Sequence, residues 1–328
     1  MKILVIGSNS FSGSNLVKNL LEEGYDVIGV SRSKEYNSAF LPYKNHKKLK
    51  NFRFYNYDIN NNTQDISKLI KKEKINNIFN FAAQGEVKSS FDFPIDHFRT
   101  NLVSQINLLE KIRKFDFIDN YIQISTPEVY GTVKNPVFES FNYNPSSPYA
   151  ASKGSFDLYL LTLFKTYKFP VKFIRSSNVY GPCQQLYRII PKSLILLLQN
   201  KKIPLHGGGR SQKIFTFIDD VSKGNILVMK KGITGEIYHI SSTKMISVKE
   251  LVKKICILVN KNFQNNIIIT KERIGEDRYY NISSKKIRKE LSWKEEFSLD
   301  LGLTLTYKWV YDNFNFLKNK KLIYFHKK

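Results

Sequence analysis

Residues 2–13 read KILVIGSNSFSG, and the architecture can be built outward from them. Ile3 to Ile6 is an unbroken apolar run, as a strand buried on both faces requires. Beyond the turn, Leu16, Val17, Leu20 and Leu21 recur at helical spacing, with Gly24 as the stop. Strand, turn and helix in that order place Gly7 and Gly13 where glycines let the backbone approach a pyrophosphate seated on a helix N-terminus. Ser10 stands where that fingerprint carries its middle glycine, and Phe11 follows it.

The same rhythm continues. Apolar, β-branched runs at Asp26–Val30, Phe52–Asp58, Asn77–Ala83, Tyr121–Thr126 and Val171–Asn178 alternate with helical patterns, notably Phe98–Lys114 and Ala150–Lys168. Such alternation predicts an α/β fold with a doubly wound parallel sheet. After Asn178 the rhythm breaks at Pro182, Pro191, Pro204 and Gly207–Gly209, and Ile214–Val228 reads as a strand leading into a helix. The expected division is a dinucleotide-binding lobe of residues 1–180 plus about 214–243. A smaller, interleaved lobe takes about 181–213 plus 244–328. On Ala150–Lys168, Phe156, Tyr159, Leu160, Leu163, Phe164 and Tyr167 form one stripe, read as core or, together with the helix Phe98–Lys114, as a homodimer seam.

Composition narrows the functional classes. The chain has 328 residues, 42% hydrophobic and 14% aromatic, which is a globular composition. The net charge of +24 excludes an acidic protein, but lysine is spread along the chain and no recognition helix or zinc-finger spacing occurs. Biased composition therefore explains the charge better than a nucleic-acid partner, and the lysine-rich end, Lys318–Lys328, reads as a solvated tail. Two cysteines, Cys183 and Cys256, fit a reducing compartment. No apolar run is long enough to span a bilayer and the N-terminus lacks a signal-peptide pattern, so a soluble cytoplasmic protein, without membrane or metal, is expected.

At the end of the second strand, about 20 residues beyond the glycine turn, a carboxylate would bind the ribose of NAD. The chain has Ser31 and Arg32 there, which favours NADP over NAD because a guanidinium can pair with a 2′-phosphate. Further on, Tyr149 and Lys153 lie one helical turn apart on one face. An ordinary phenol, with a pKa near 10, is a poor base at neutral pH, but a fixed ammonium and a positive nicotinamide ring favour the phenolate. Ser125 and Thr126 close the preceding strand, where their hydroxyls could meet the same substrate oxygen.

Taken together these residues resemble the extended short-chain dehydrogenase/reductases that modify nucleotide sugars. The resemblance runs from Lys2 to about Trp309 and rests on eight motifs in order. They are GSNSFSG, FAAQ at 81–84, Asn101 in a helix, ISTPEVYG at 124–131, PYAASK at 148–153, RSSNVYGP at 175–182, HGGG at 206–209 and ERIGEDRYY at 272–280. Residues 124–131 are most similar to the pattern of dTDP-glucose and GDP-mannose 4,6-dehydratases. The resemblance implies that Tyr149 takes the C4 hydroxyl proton while hydride passes to NAD(P), that Thr126 holds the oxygen, that Lys153 binds the nicotinamide ribose, and that Glu128 removes the C5 proton. It also implies cofactor contacts from Asp58, Ile59, Ala82, Ala83, Gln84 and Asn101. Diphosphate or ribose contacts of a nucleotide-sugar substrate fall to Asn178, Arg188, Lys213 and Arg278, with Arg210 close to Lys213.

One position departs from the dehydratase pattern. Pro127 stands between Thr126 and Glu128 where an acid or serine is expected, and proline has no side-chain donor for the leaving hydroxyl. Water, Glu128 itself or Gln84 would then return the proton, or the reaction needs no acid. The second option fits a nucleotide-glucuronate decarboxylase or a 4-epimerase.

Overall fold

The computed structural model describes residues 1–271 and 279–327. Its central sheet has seven strands: β1 (Lys2–Ile6), β2 (Asp26–Val30), β3 (Phe52–Tyr55), β4 (Asn77–Asn80), β5 (Asn120–Ile124), β6 (Val171–Ser176) and β7 (Ile237–Ile240). Their order is β7-β6-β5-β4-β1-β2-β3, and every pair is parallel. Direction of winding reverses between β1 and β4, so the crevice outside their carboxyl ends is the place for a ligand. The seventh strand, IYHI, was not anticipated; it lies beyond the alternating first half and pairs only with β6.

Alternate residues of β1 feed two cores. Leu4 and Ile6 pack with Ile66, Ile70, Leu108, Phe156 and Leu160 on one face. Ile3 and Val5 pack with Leu16, Leu20, Val221 and Val228 on the other. The helices concerned are α1 (Phe11–Glu22), α2 (Thr63–Glu73), α3 (Ser104–Ile112), α4 (Pro148–Tyr167) and α5 (Ile218–Lys231). The period-2 split of β1 is what a strand covered on both faces must show. A third core, with Leu194, Leu251, Ile255, Leu303 and Val310, holds together the C-terminal part. There the short strands Asn178–Tyr180 and Met245–Ser247 flank Gln212–Phe217, and Ile203–His206 pairs with Ile267–Thr270.

Several expected strands are shorter than their apolar runs. Asp58, Ala83, Thr126 and Asn178 lie past the ends of β3, β4, β5 and β6, because the chain leaves the sheet there to line the crevice. The expected helix Phe98–Lys114 is interrupted by a π-helical turn at Arg99–Val103 before α3. On α4, the stripe divides: Phe156, Leu160 and Leu163 are buried in the chain's own core, Tyr159 and Phe164 pack partly buried against it, and Tyr167 is exposed. Among the described residues no helix is long and apolar enough to cross a membrane.

Candidate active site

The glycine turn is built as a cradle. Gly7 has φ of +90°, and a Cβ there would come within 3.0 Å of the Ala82 backbone. A Cβ at Gly13 would sit 2.3 Å from the Gly7 carbonyl, so α1 can approach β1 only with glycine at that place. Ser10 has extended backbone angles that tolerate a side chain, and its Oγ accepts from the Gly13 N–H at 3.0 Å. The missing glycine is thus a helix cap. Phe11 and Ser12, the first residues of α1, line the crevice, where first-turn N–H groups lack intrahelical partners.

Gly7, Ser10, Phe11, Ser31, Arg32, Asp58, Ile59, Ala82 and Ala83 line one half of the crevice. The loop after β2 is fixed by Asn9, a residue the sequence reading passed over. Its N–H donates to Ser31 Oγ at 2.9 Å and its Nδ2 to the Ser33 carbonyl at 2.8 Å. Asn101 lines neither half. Its side chain, held by the π-helical turn, donates to the Gln84 carbonyl and to Ser152 Oγ, each at 3.0 Å, and accepts from the Gln84 N–H at 2.8 Å. It braces the loop after β4 against α4.

The other half gathers Gln84, Thr126, Pro127, Glu128, Tyr149, Lys153, Asn178, Arg188 and Lys213. Pro127 opens a short helical turn, Pro127–Tyr130, whose N-cap is Thr126. Proline's fixed φ suits that first position, so the residue that cannot donate a proton pre-sets the turn that presents Glu128. Tyr149 lies in the first turn of α4, capped by Ser147, whose Oγ accepts from the Ala150 N–H at 3.2 Å. Lys153 is 3% exposed and its Nζ donates to the Ile124 carbonyl at 2.8 Å.

Burial pushes the Tyr149 phenol well above its usual range, and the Glu128 charge adds to this; a hydrogen bond from Thr126 and the Arg188 charge pull it back. Burial lowers the Lys153 ammonium to about 8, against the opposing charge of Asp157. The pair is therefore desolvated, and small changes of charge move both groups. Ser125 is not available to a substrate in the way expected for it: its hydroxyl donates to Asp157 Oδ2 at 2.5 Å.

On the far wall, Asn178 Nδ2 donates to the Ile214 carbonyl at 3.1 Å, and Arg188 precedes the helix Ile189–Leu198. Lys213 lines the cleft and Arg210 does not; the Arg210 guanidinium turns back to the Gly207 carbonyl at 3.1 Å. Arg278, and the motif residues 272–278, lie outside the described residues.

The C-terminal segment corrects the expectation of a solvated tail. The Lys327 carbonyl accepts from Gln84 Nε2 at 2.6 Å and from Arg32 Nη1 at 3.1 Å. His326 meets Asp96 at 2.8 Å and stacks on Phe93, and Tyr324 packs edge-on to Tyr187. Aromatic residues among the lysines give this segment something to bury, and Phe325 and Lys327 line both halves of the crevice.

Residues 4–306 match the family model described as GDP-mannose 4,6 dehydratase. The dTDP-D-glucose 4,6-dehydratase of Homo sapiens is 31% identical over 326 residues, which cover 97% of this chain and 92% of the human protein. The structure of the dTDP-glucose 4,6-dehydratase of Streptomyces venezuelae with NAD and TYD bound superposes with a TM-score of 0.89 at 29% identity, covering 96% of this chain and 98% of that one. The UDP-glucose 4-epimerase of Thermotoga maritima, solved with UDP-glucose, superposes with a TM-score of 0.86 at 27% identity, covering 96% and 100%.

Proposed function

The chain belongs to the GDP-mannose 4,6-dehydratase family, within the extended short-chain dehydrogenase/reductases, and on that premise we propose that it is an NAD(P)-dependent nucleotide-sugar 4,6-dehydratase, a lyase. The observation that carries the reading is the convergence of Thr126, Glu128, Tyr149 and Lys153 on one wall of a crevice whose other end is a glycine-lined turn.

That turn fits a dinucleotide: side chains at Gly7 or Gly13 would strike the Phe81–Ala82 backbone or the Gly7 carbonyl, so only glycines let β1, β4 and the start of α1 close up into a turn with its helix N-terminus at the crevice. A nicotinamide dinucleotide held there by the glycine turn, Ser10, Ser31 and Arg32 would supply hydride acceptance from the sugar C4 and hydride return to C6. Tyr149 removes the C4 hydroxyl proton, helped by the Lys153 ammonium, and Thr126 hydrogen-bonds the same oxygen. The resulting ketone acidifies the C5 proton, which Glu128 accepts. With Pro127 beside it, Glu128 delivers that proton to the C6 hydroxyl, water departs, and a solvent-derived proton later completes C5. Asn178, Arg188 and Lys213 hold the diphosphate, joined by Arg278.

We place NADP ahead of NAD, on Arg32 in a cleft half also lined by Ser33, Lys320, Lys321 and Lys327. The protein is read as cytoplasmic, with residues 1–180 plus about 214–243 as cofactor lobe, and as a homodimer using the exposed Ile95, Val103 and Leu158. Neither membrane nor nucleic acid is needed as a partner. Pro127 supports a second reading, 4-epimerase or decarboxylase. Incubating the protein with dTDP-, UDP-, GDP- and CDP-hexoses and the matching glucuronates separates them by mass. Loss of one water supports the dehydratase; an unchanged mass, or loss of carbon dioxide, replaces it with the epimerase or the decarboxylase.

A further inference from the structure

Three consecutive residues at the end of β5 are each held by one residue of α4. The Ile124 carbonyl accepts from Lys153 at 2.8 Å, the Ser125 hydroxyl donates to Asp157 Oδ2 at 2.5 Å, and Thr126 hydrogen-bonds the Tyr149 phenol. Tyr149, Lys153 and Asp157 are spaced four apart, so they form one row along the helix. Asp157 and Arg175 are both fully buried and meet at 3.1 Å. Tyr143 donates to the same carboxylate oxygen at 3.2 Å, and Arg175 also reaches Tyr130, Tyr143 and the Ser140 carbonyl. Every one of the Asp157 contacts falls on Oδ2; Oδ1 is buried with no hydrogen-bond partner among the described residues. A buried ion pair is expensive to desolvate and is often replaceable by apolar groups, so stability alone does not call for a charge here.

We propose that Asp157 is a positioning residue for the reaction: its carboxylate holds Ser125 and so the Thr126 end of β5, and it stands one turn beyond Lys153 in the same row of the helix. The proposal rests on the reading of Tyr149 and Lys153 as the pair that works on the sugar. The charged and titratable groups around that pair are Asp157 on α4 itself, with Arg175 from β6 paired to it, Glu128 from the turn after β5, Arg188 across the cleft, and His97, whose ring lies edge-on to Tyr149 with centroids 6.2 Å apart. Among these, Asp157 opposes the loss of the Lys153 proton, and it also disfavours the Tyr149 phenolate. Removing its charge therefore shifts both ionisations toward lower pH.

The test compares Asp157→Asn, which keeps size and an acceptor for Ser125, with Ser125→Ala, which keeps the charge and drops the bond. In the cofactor-loaded protein carrying 13C-labelled lysine, the Lys153 signal, identified by its loss in Lys153→Arg, is titrated by NMR. Asp157→Asn should lower the Lys153 midpoint by about one pH unit. The bell-shaped kcat profile should move the same way, with KM within about twofold. Ser125→Ala should leave the midpoint in place and lower kcat several-fold. An unchanged Lys153 midpoint in folded Asp157→Asn overturns the proposal. If Asp157→Asn does not fold, Asp157→Ser, which leaves room for water, replaces it; failure of both while Ser125→Ala folds assigns Asp157 to the fold alone and also overturns it. A shifted midpoint in a protein that dehydrates no nucleotide hexose counts against the dehydratase reading and not against Asp157.

Discussion

Glu128 carries two duties in this account, taking the C5 proton and supplying the proton that leaves with the C6 hydroxyl, because Pro127 can do neither. Its removal therefore separates the half-reactions. Glu128→Gln should still reduce the bound cofactor with a nucleotide hexose, seen as reduced-nicotinamide absorbance, yet form product at least about 1,000-fold more slowly. Tyr149→Phe should stop before any cofactor is reduced; reduction at the wild-type rate in Tyr149→Phe would remove the phenol from its role. The pH profile carries a second sign. Burial holds Lys153 at about 8, and the charged form is the helpful one, so activity should fall as pH rises through that value. An activity still climbing at pH 9 would mean the ammonium is not required. Tyr149 and Lys153 were legible from their spacing as one face of a helix, and Thr126 and Glu128 from the resemblance carried by residues 124–131; the fold brings all four to one wall of the crevice. Asn9 and Asp157 were not: a polar residue in a turn, or one turn further along a helix, gives no pattern until the fold brings Ser31 or Arg175 to it.

Helix α4 is the element on which the site depends, since its first turns carry Tyr149 and Lys153. Ser147 caps it through the Ala150 N–H. Ser147→Ala should cost about 1 kcal/mol in chemical denaturation and lower kcat more than KM, because the frayed turn carries the phenol; a variant with wild-type stability and kcat would show that the cap does not hold Tyr149. Elements were readable where period and punctuation agreed, as in β1 and α1. Ser10 looked like a defect in the glycine turn because the sequence does not reveal that its backbone is extended and its hydroxyl caps α1. The π-helical turn at Arg99–Val103 was hidden for a similar reason: its apolar spacing passes for ordinary helix, and the inward aim of Asn101 depends on Gln84 and Ser152.

At the scale of the molecule, a doubly wound sheet followed from six apolar runs, while β7 went unread because four residues between a helix and a turn give little period to detect. The packed C-terminal segment escaped for the opposite reason, its lysines outweighing Tyr324, Phe325 and His326 in any reading by charge. Two histidines should govern the acid limit of stability. His97 and His239 are fully buried, and burial lowers them to about 4 and about 3. Between the ordinary value near 6.5 and those values the unfolded chain binds protons that the folded one does not, so stability falls as pH falls. Each should cost about 2 kcal/mol by pH 5. A Tm unchanged from pH 7 to pH 5 would contradict this.

The most direct measurement follows one deuterium. A nucleotide hexose labelled at C4, turned over by the wild-type protein, should give a product lighter by one water that retains the label at C6, because the hydrogen taken from C4 is returned to the carbon that lost its hydroxyl. A label still on C4 in a product of unchanged mass, or a dehydrated product that has lost the label to solvent, would contradict the account.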